Sequence, residues 1–186
     1  MDRKYTIAVV AIVAVVVIVA TAIISQSGSK GNENGLTSDQ GYTMKDSVSI
    51  GDFHVFYCSE NDGFEIDYFV MEQAFPDQPI YKVQSRGIER TMSYDMIRQV
   101  VMTSPEELSK NADEVIDQGT SSLDTIFGTV DCHIYIAKQN FGASGYVSST
   151  YYLSEQGVIF KTDVDDAVQG NEYTITLSAT NMVICV

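Results

Sequence analysis

The chain has 186 residues, 45% hydrophobic content, no tryptophan and a formal net charge of −14. That length holds one globular domain plus appendages. The charge excludes a nucleic-acid binder, because phosphate backbones are gripped by clustered Lys and Arg: beyond position 41 there are eight basic residues against 22 acidic ones, and Glu89 interrupts the nearest thing to a basic cluster, Arg86, Arg90 and Arg98.

The first element is apolar. From Ile7 through Val16 to Ile24 there is no charge, and the run consists of twelve Val or Ile, five Ala and one Thr. A helix rises about 1.5 Å per residue, so Tyr5 to Ile24 covers roughly 30 Å, the thickness of a bilayer's hydrocarbon core. Twelve central Val or Ile favour insertion by about 4–7 kcal/mol in total. Residues 1–24 are therefore expected to form a single transmembrane anchor. Arg3 and Lys4 precede the run and the next basic residue is Lys30, so the positive-inside rule puts the N-terminus in the cytoplasm and the rest outside. A cleaved signal peptide is the alternative, since Ala20-Thr21-Ala22 fits an A-x-A cleavage site. Either way the remainder is exported and carries an extracytoplasmic domain.

Residues 25–41, "SQSGSKGNENGLTSDQG", are rich in Ser, Gly and Asn with no apolar period. That composition reads as a flexible linker, whose mean span would be roughly 20–25 Å.

Residues 42–186 form the displayed domain, large enough for one core without covalent staples. "SIGDFHVFYCSENDGFEIDYFVMEQ" reads as a hairpin, with Asn61-Asp62-Gly63 supplying residues that tolerate positive φ. "AFPDQP" then breaks the chain, since proline cannot donate to a ladder. "IYKVQSRGIERTMSYDMIRQVVM" fits two patterns: Met92, Tyr94 and Met96 alternate, while Tyr94, Ile97 and Val101 share a helical face. Its β-branched and aromatic content favours strand. Ser104-Pro105-Glu106-Glu107 marks a helix start. Leu108, Ala112, Val115 and Ile116 continue it at helical spacing, and Gly119 should stop it. Beyond Gly119 the chain reads as a meander of short strands, "GTVDCHIYIAK", "GYVSSTYYLS", "GVIFKTDV" and "NEYTITLSATN".

The expected class is α+β and β-rich: a curved antiparallel sheet with one amphipathic helix, preceded by the N-terminal transmembrane helix. This strand order and the late "YTITLSATN" strand resemble the half-barrel of lipoprotein carriers, which implies an apolar hollow that holds an acyl chain. "VSIGDFHVFY" and "YYLSEQGVIFK" are similar to segments of uncharacterised single-pass archaeal and bacterial envelope proteins, a resemblance that implies no activity.

Each histidine lies near a cysteine, in "DFHVFYC" and "VDCHIYIA". A metal or nucleophile site needs these side chains to converge. Alternation puts Cys132 in the core with Val130 and Ile134, and turns His133 the other way. His54 and Cys58 share a face but lie roughly 13 Å apart along a strand. No metal, cofactor or catalytic residue is therefore assigned. In an oxidising compartment Cys58 could pair with Cys132, leaving Cys185 over; three free thiols are the alternative. Asp163, Asp165, Asp166 and Glu172 cluster in "KTDVDDAVQGNE", but Ala167 and Val168 break the calcium-loop register, so a solvated acidic turn is expected. Tyr146 and Tyr152 are a candidate surface patch.

These features point to a membrane-anchored envelope module that binds a partner or plays a structural part. Its partners would be the membrane, through the N-terminal helix, and an envelope protein or lipid. A carrier with an apolar cavity and a hydrolase using acidic residues are the alternatives. The chain is not expected to be an enzyme.

Overall fold

The computed structural model describes residues 41–75 and 77–186. The anchor with Ile7, Val16 and Ile24, the Ala20-Thr21-Ala22 site and the linker through residue 40 lie outside the described residues. Among those described, no helix is long and apolar enough to cross a membrane.

Eleven strands run β1 (Tyr42–Met44), β2 (Phe53–Cys58), β3 (Phe64–Gln73), β4 (Ile80–Ser85), β5 (Ile88–Ser93), β6 (Glu114–Thr125), β7 (Gly128–Asn140), β8 (Tyr146–Leu153), β9 (Ile159–Asp166), β10 (Asn171–Thr180) and β11 (Val183–Cys185). Two helices, α1 (Tyr94–Val101) and α2 (Pro105–Asn111), separate β5 from β6. Nine strands form one antiparallel sheet in the order β5-β4-β3-β2-β10-β9-β8-β7-β6, and β1 pairs with β11 in a small second sheet. Two meanders, β2–β5 and β6–β10, are thus joined where β2 meets β10. The helices leave one edge strand and return to the other, so this connection crosses the sheet.

The β-rich antiparallel class is as expected, and so are the meander and the first hairpin. Asn61 and Asp62 take positive φ, as that hairpin turn requires. Register shifts interrupt β10 between Leu177 and Ala179, β3 between Val70 and Glu72, β6 between Asp117 and Thr120, and the β8–β9 ladder at Tyr152/Leu153. Each bulge bends its strand and increases the local twist.

The helix count differs from expectation, and residues 94–101 are helix rather than strand. The Ser93 hydroxyl accepts from the Met96 amide at 3.2 Å, and Asp95 sits in the positive first turn. Ile97 and Val101, four apart, are both buried, joining Ile66, Val70, Val83, Met92 and Leu177 in the main core. The helical face won because it covers the inner face of the first meander.

The second helix begins where expected but ends early. Glu107 N–H donates to Ser104 Oγ at 3.2 Å, Leu108 is buried, and Ala112 closes the helix after seven residues. Val115 and Ile116 belong to β6, where they pair with Ala137 and Ile136. Gly119 stops no helix. It is the extra residue of the β6 bulge, at φ +82°. Replacing Ser104 by Ala should cost about 1 kcal/mol, because the cap bond is lost and little else changes. The midpoint of a urea titration followed by tyrosine fluorescence reports it, and an unchanged midpoint would deny the cap any weight.

Strands β6 and β7 outrun β8, which pairs only with residues 133–140 of β7. Their free arm turns at Ile126-Phe127. Phe127 packs on Tyr42 at 5.0 Å and on Phe160 at 5.9 Å between ring centroids, and Tyr42 meets Phe160 edge-on at 5.6 Å. Val130 and Cys132 are buried on this arm. β1 is held there as well: Ser154 Oγ donates to Tyr42 O at 2.8 Å, and Tyr42 N–H donates to Gln156 Oε1 at 3.0 Å.

Candidate functional site

Register gives each side chain a face. Phe56 stands opposite Leu177 and Ile66, on the face covered by α1. The other face carries Tyr57, Thr176, Lys161, Tyr152 and Ile134, each opposite the next across the β2-β10-β9-β8-β7 ladders.

That second face holds a shallow open groove of about 480 Å³ over β8, β9 and β10. Ser148 and Thr150 line it from β8, Asp163 and Asp165 from β9, and Glu172 and Thr174 from β10, with Ser59 at its end. The residues meet because they alternate: every second position of three adjacent strands points the same way. Asp163 is opposite Thr174 and Thr150, and Asp165 is opposite Glu172 and Ser148.

Asp163 accepts from Thr174 Oγ1 at 2.7 Å and pairs with Lys161 Nζ at 2.8 Å. Burial alone would raise its carboxyl, but Lys161 and Thr174 outweigh burial and hold it below the usual carboxylate range. Asp165 accepts from the Tyr146 hydroxyl at 3.0 Å, and that bond raises the phenol. Asp165 and Glu172 directly oppose each other, an arrangement that disfavours the ladder unless something cationic or proton-donating lies between them.

The candidate patch residues bound this groove. Tyr146 and Tyr152 lie on the groove face of β8, six residues apart, with Ser148 and Thr150 between them. Lys161 Nζ sits 4.8 Å over the Tyr152 ring. Tyr151, by contrast, is buried. The hydroxyls of Ser59, Ser148 and Thr150 escaped the sequence reading, although their alternation with the acids of β9 carried the signal.

The three cysteines are free thiols: Cys58 and Cys132 are buried and Cys185 is exposed. The Cys58–Cys132 pairing is not formed, for a geometric reason. Strands β10, β9 and β8 stand between β2 and β7. Cys58 also shares a face with Ile175, Thr162, Tyr151 and Tyr135, whereas Cys132, three residues before Tyr135, points the other way. Burial pushes up both thiols, Cys132 to about 11 with Asp131 adding to it, so neither is a ready nucleophile.

The histidines are equally far apart in role. His54 is fully buried on β2. His133 lines a separate cleft of about 120 Å³ with Tyr135, Leu153 and the start of α2. Among the described residues, no group of three or more His, Cys, Asp or Glu is placed to hold a metal ion.

No protein-family model matches this sequence, and no curated protein matches it.

Proposed function

We propose that this chain is a membrane-tethered extracytoplasmic module that binds an envelope partner on the polar face of β8, β9 and β10. The observation that carries the reading is the contrast between the two faces. The apolar face is filled by α1 and by the core side chains, while the opposite face offers an open groove of hydroxyls and carboxylates. Such a surface suits a polar partner that is held and released without being enclosed.

The carrier alternative is weaker on packing: it needs an open apolar hollow, and on the apolar face α1 sets buried Ile97 and Val101 against the core side chains of the sheet. The hydrolase alternative is weaker on charge. Asp163 is held ionised, the opposite of what a general acid needs.

The test has two arms. In cells, full-length protein should sediment with membranes, and protease added outside should digest residues 42–186. A photo-crosslinking residue placed at Thr150 should trap an envelope component that the same residue at exposed Ser122, on β6, does not. Soluble, protease-resistant protein would refute the location. Equal or absent adducts at the two positions would refute the binding face.

A further inference from the structure

A second surface lies at the other end of the same face. Phe53 and Phe69 are cross-strand partners whose rings stack at 5.6 Å. Met71, the extra residue of the β3 bulge just after Val70, is 50% exposed, and Ile50 is 69% exposed. Gly51 N–H donates to Val70 O at 2.9 Å, and Val70 N–H donates to Asp52 O at 2.9 Å, so the Ile50–Phe53 segment lies directly against Phe69–Met71. Four large apolar side chains are thus carried on adjoining backbone segments at one end of the β2–β3 hairpin. Exposed clusters of this kind mark contact surfaces.

Two features of the chain identify what covers it. The first is where the tether enters. Gly41 is four residues from Lys45, at most about 13 Å of chain. Lys45 pairs with Asp52 at 3.2 Å, next to Phe53. On the membrane-anchored reading proposed above, on which this inference rests, only the seventeen residues 25–41 separate the anchor from the domain, so the bilayer is presented to the patch at the effective concentration that a short tether confers.

The second feature is charge. Of the acids adjoining the patch, Asp52 pairs with Lys45 and Glu72 with Lys82, while Asp67, two residues before Phe69, accepts from the Arg86 amide at 2.9 Å. The groove acids lie far off. Thr180 stands opposite His54 on β2, and Glu172 is eight residues earlier on β10, roughly 26 Å away. That exceeds three Debye lengths at physiological salt, about 8 Å each, so those acids do not repel a headgroup layer at the patch. A second copy is the poorer occupant, since each chain carries a net charge of −14.

We infer that Ile50, Phe53, Phe69 and Met71 form a lipid-docking surface that lays this end of the domain on the bilayer and turns the acidic groove away from it. Aromatic and aliphatic side chains at the interfacial depth, with Lys45 and Lys82 at the rim, match the chemistry of that layer.

The absence of tryptophan makes the test direct. Full-length Met71→Trp and Ile50→Trp are reconstituted singly in phosphatidylcholine vesicles containing brominated acyl chains. The comparison is Val168→Trp, at an exposed turn beside the groove acids. Emission from positions 71 and 50 should be quenched at least roughly two-fold more than from 168, and Phe69→Asp should abolish the difference. Ile50→Trp covers the case in which Met71→Trp disturbs the β3 bulge. Flotation separates the two readings. Protein that floats with the vesicles but shows equal quenching at all three positions overturns the docking alone. Protein that does not float overturns the anchor and the docking together. Blue-shifted, unquenched emission that disappears as protein is diluted in lipid would assign the patch to a second copy and overturn the bilayer.

Discussion

Gly157→Val should be the most damaging single substitution in the domain, with an expected loss of about 4 kcal/mol or more. Two independent penalties coincide at this residue. Gly157 sits at φ +91°, a conformation that β-branched residues scarcely adopt and that costs about 1–3 kcal/mol. A side chain there would also collide with the Thr103 carbonyl oxygen, which is backbone and cannot swing aside. The close approach has a structural purpose. Thr103 N–H donates to Gly157 O at 2.9 Å, Gly157 N–H donates to Ser154 O at 2.9 Å, and Met102 bridges Val158. These bonds clamp the connection between α1 and α2 onto the β8–β9 turn, and Ser154 ties the same turn to β1. Gly119→Ala is the matched control. Its φ of +82° is similar, but a Cβ there meets nothing within 4 Å, so only the conformational part, about 1 kcal/mol, should be lost. Urea unfolding monitored through the eleven tyrosines distinguishes the two. Equal losses would mean that the clamp contributes nothing.

How far the sequence discloses this architecture depends on the range of each signal. Alternation is local, so β2, β3 and β7 through β10 were legible from Phe64, Ile66 and Tyr68 or from Tyr173, Ile175 and Leu177. Residues 94–101 satisfied both periods at once, and only the position of Ile97 and Val101 over the sheet decides for helix. Val115 and Ile116 fitted the turn before them equally well, yet their ladder partners Ala137 and Ile136 lie twenty or more residues downstream. The β1–β11 pair joins the two ends of the domain and left no local trace.

The groove follows the same logic. The acids at 163 and 165 were visible as a cluster, and Tyr146 and Tyr152 as aromatic residues, but their adjacency depends on the register of β8 against β9 and β10. Asp163 fell inside the expected strand "GVIFKTDV", but reading the acids as a turn missed that the strand runs on through Asp165 to Asp166, which is buried and caps the following turn through the amides of Val168 and Gln169 at 3.0 Å each. Cysteine pairing was the least legible feature. It requires knowledge of strand order, which composition and spacing do not carry.

Stability should fall by about 3 kcal/mol as pH drops from 6.5 to 4, and His54 should account for most of the fall. The cause is a hydrogen-bond count. Thr180 has one hydroxyl proton and gives it to Phe53 O at 3.0 Å, while its oxygen accepts from Met182 N–H at 3.0 Å. The 2.9 Å contact between Thr180 Oγ1 and His54 Nδ1 therefore has Nδ1–H as donor, which leaves Nε2 as the site of any added proton. Nε2 is buried with no hydrogen-bond partner. Burial drives the imidazole pKa from 6.5 to about 4, against a smaller opposing pull from Asp52. Asp52 is itself held by Lys45 and by the Ser49 amide, and Tyr68 stands opposite on β3. The sign follows from proton uptake. Above pH 6.5 neither state binds the proton, and stability is complete. Between 6.5 and 4 the unfolded chain takes it up and the folded chain does not, so each pH unit costs about 1.4 kcal/mol. Below 4 both bind it, and this contribution is constant. Asp163, held low, acts in the same direction but only beneath the ordinary carboxylate range, outside this window. His54→Phe keeps a ring in the core and removes the titration. Its stability at neutral pH should drop by about 1 kcal/mol for the lost Thr180 bond, while its profile from pH 6.5 to 4.5 should flatten. A wild-type profile already flat over that range, or a His54→Phe profile as steep as wild type, would remove His54 as the source of acid sensitivity.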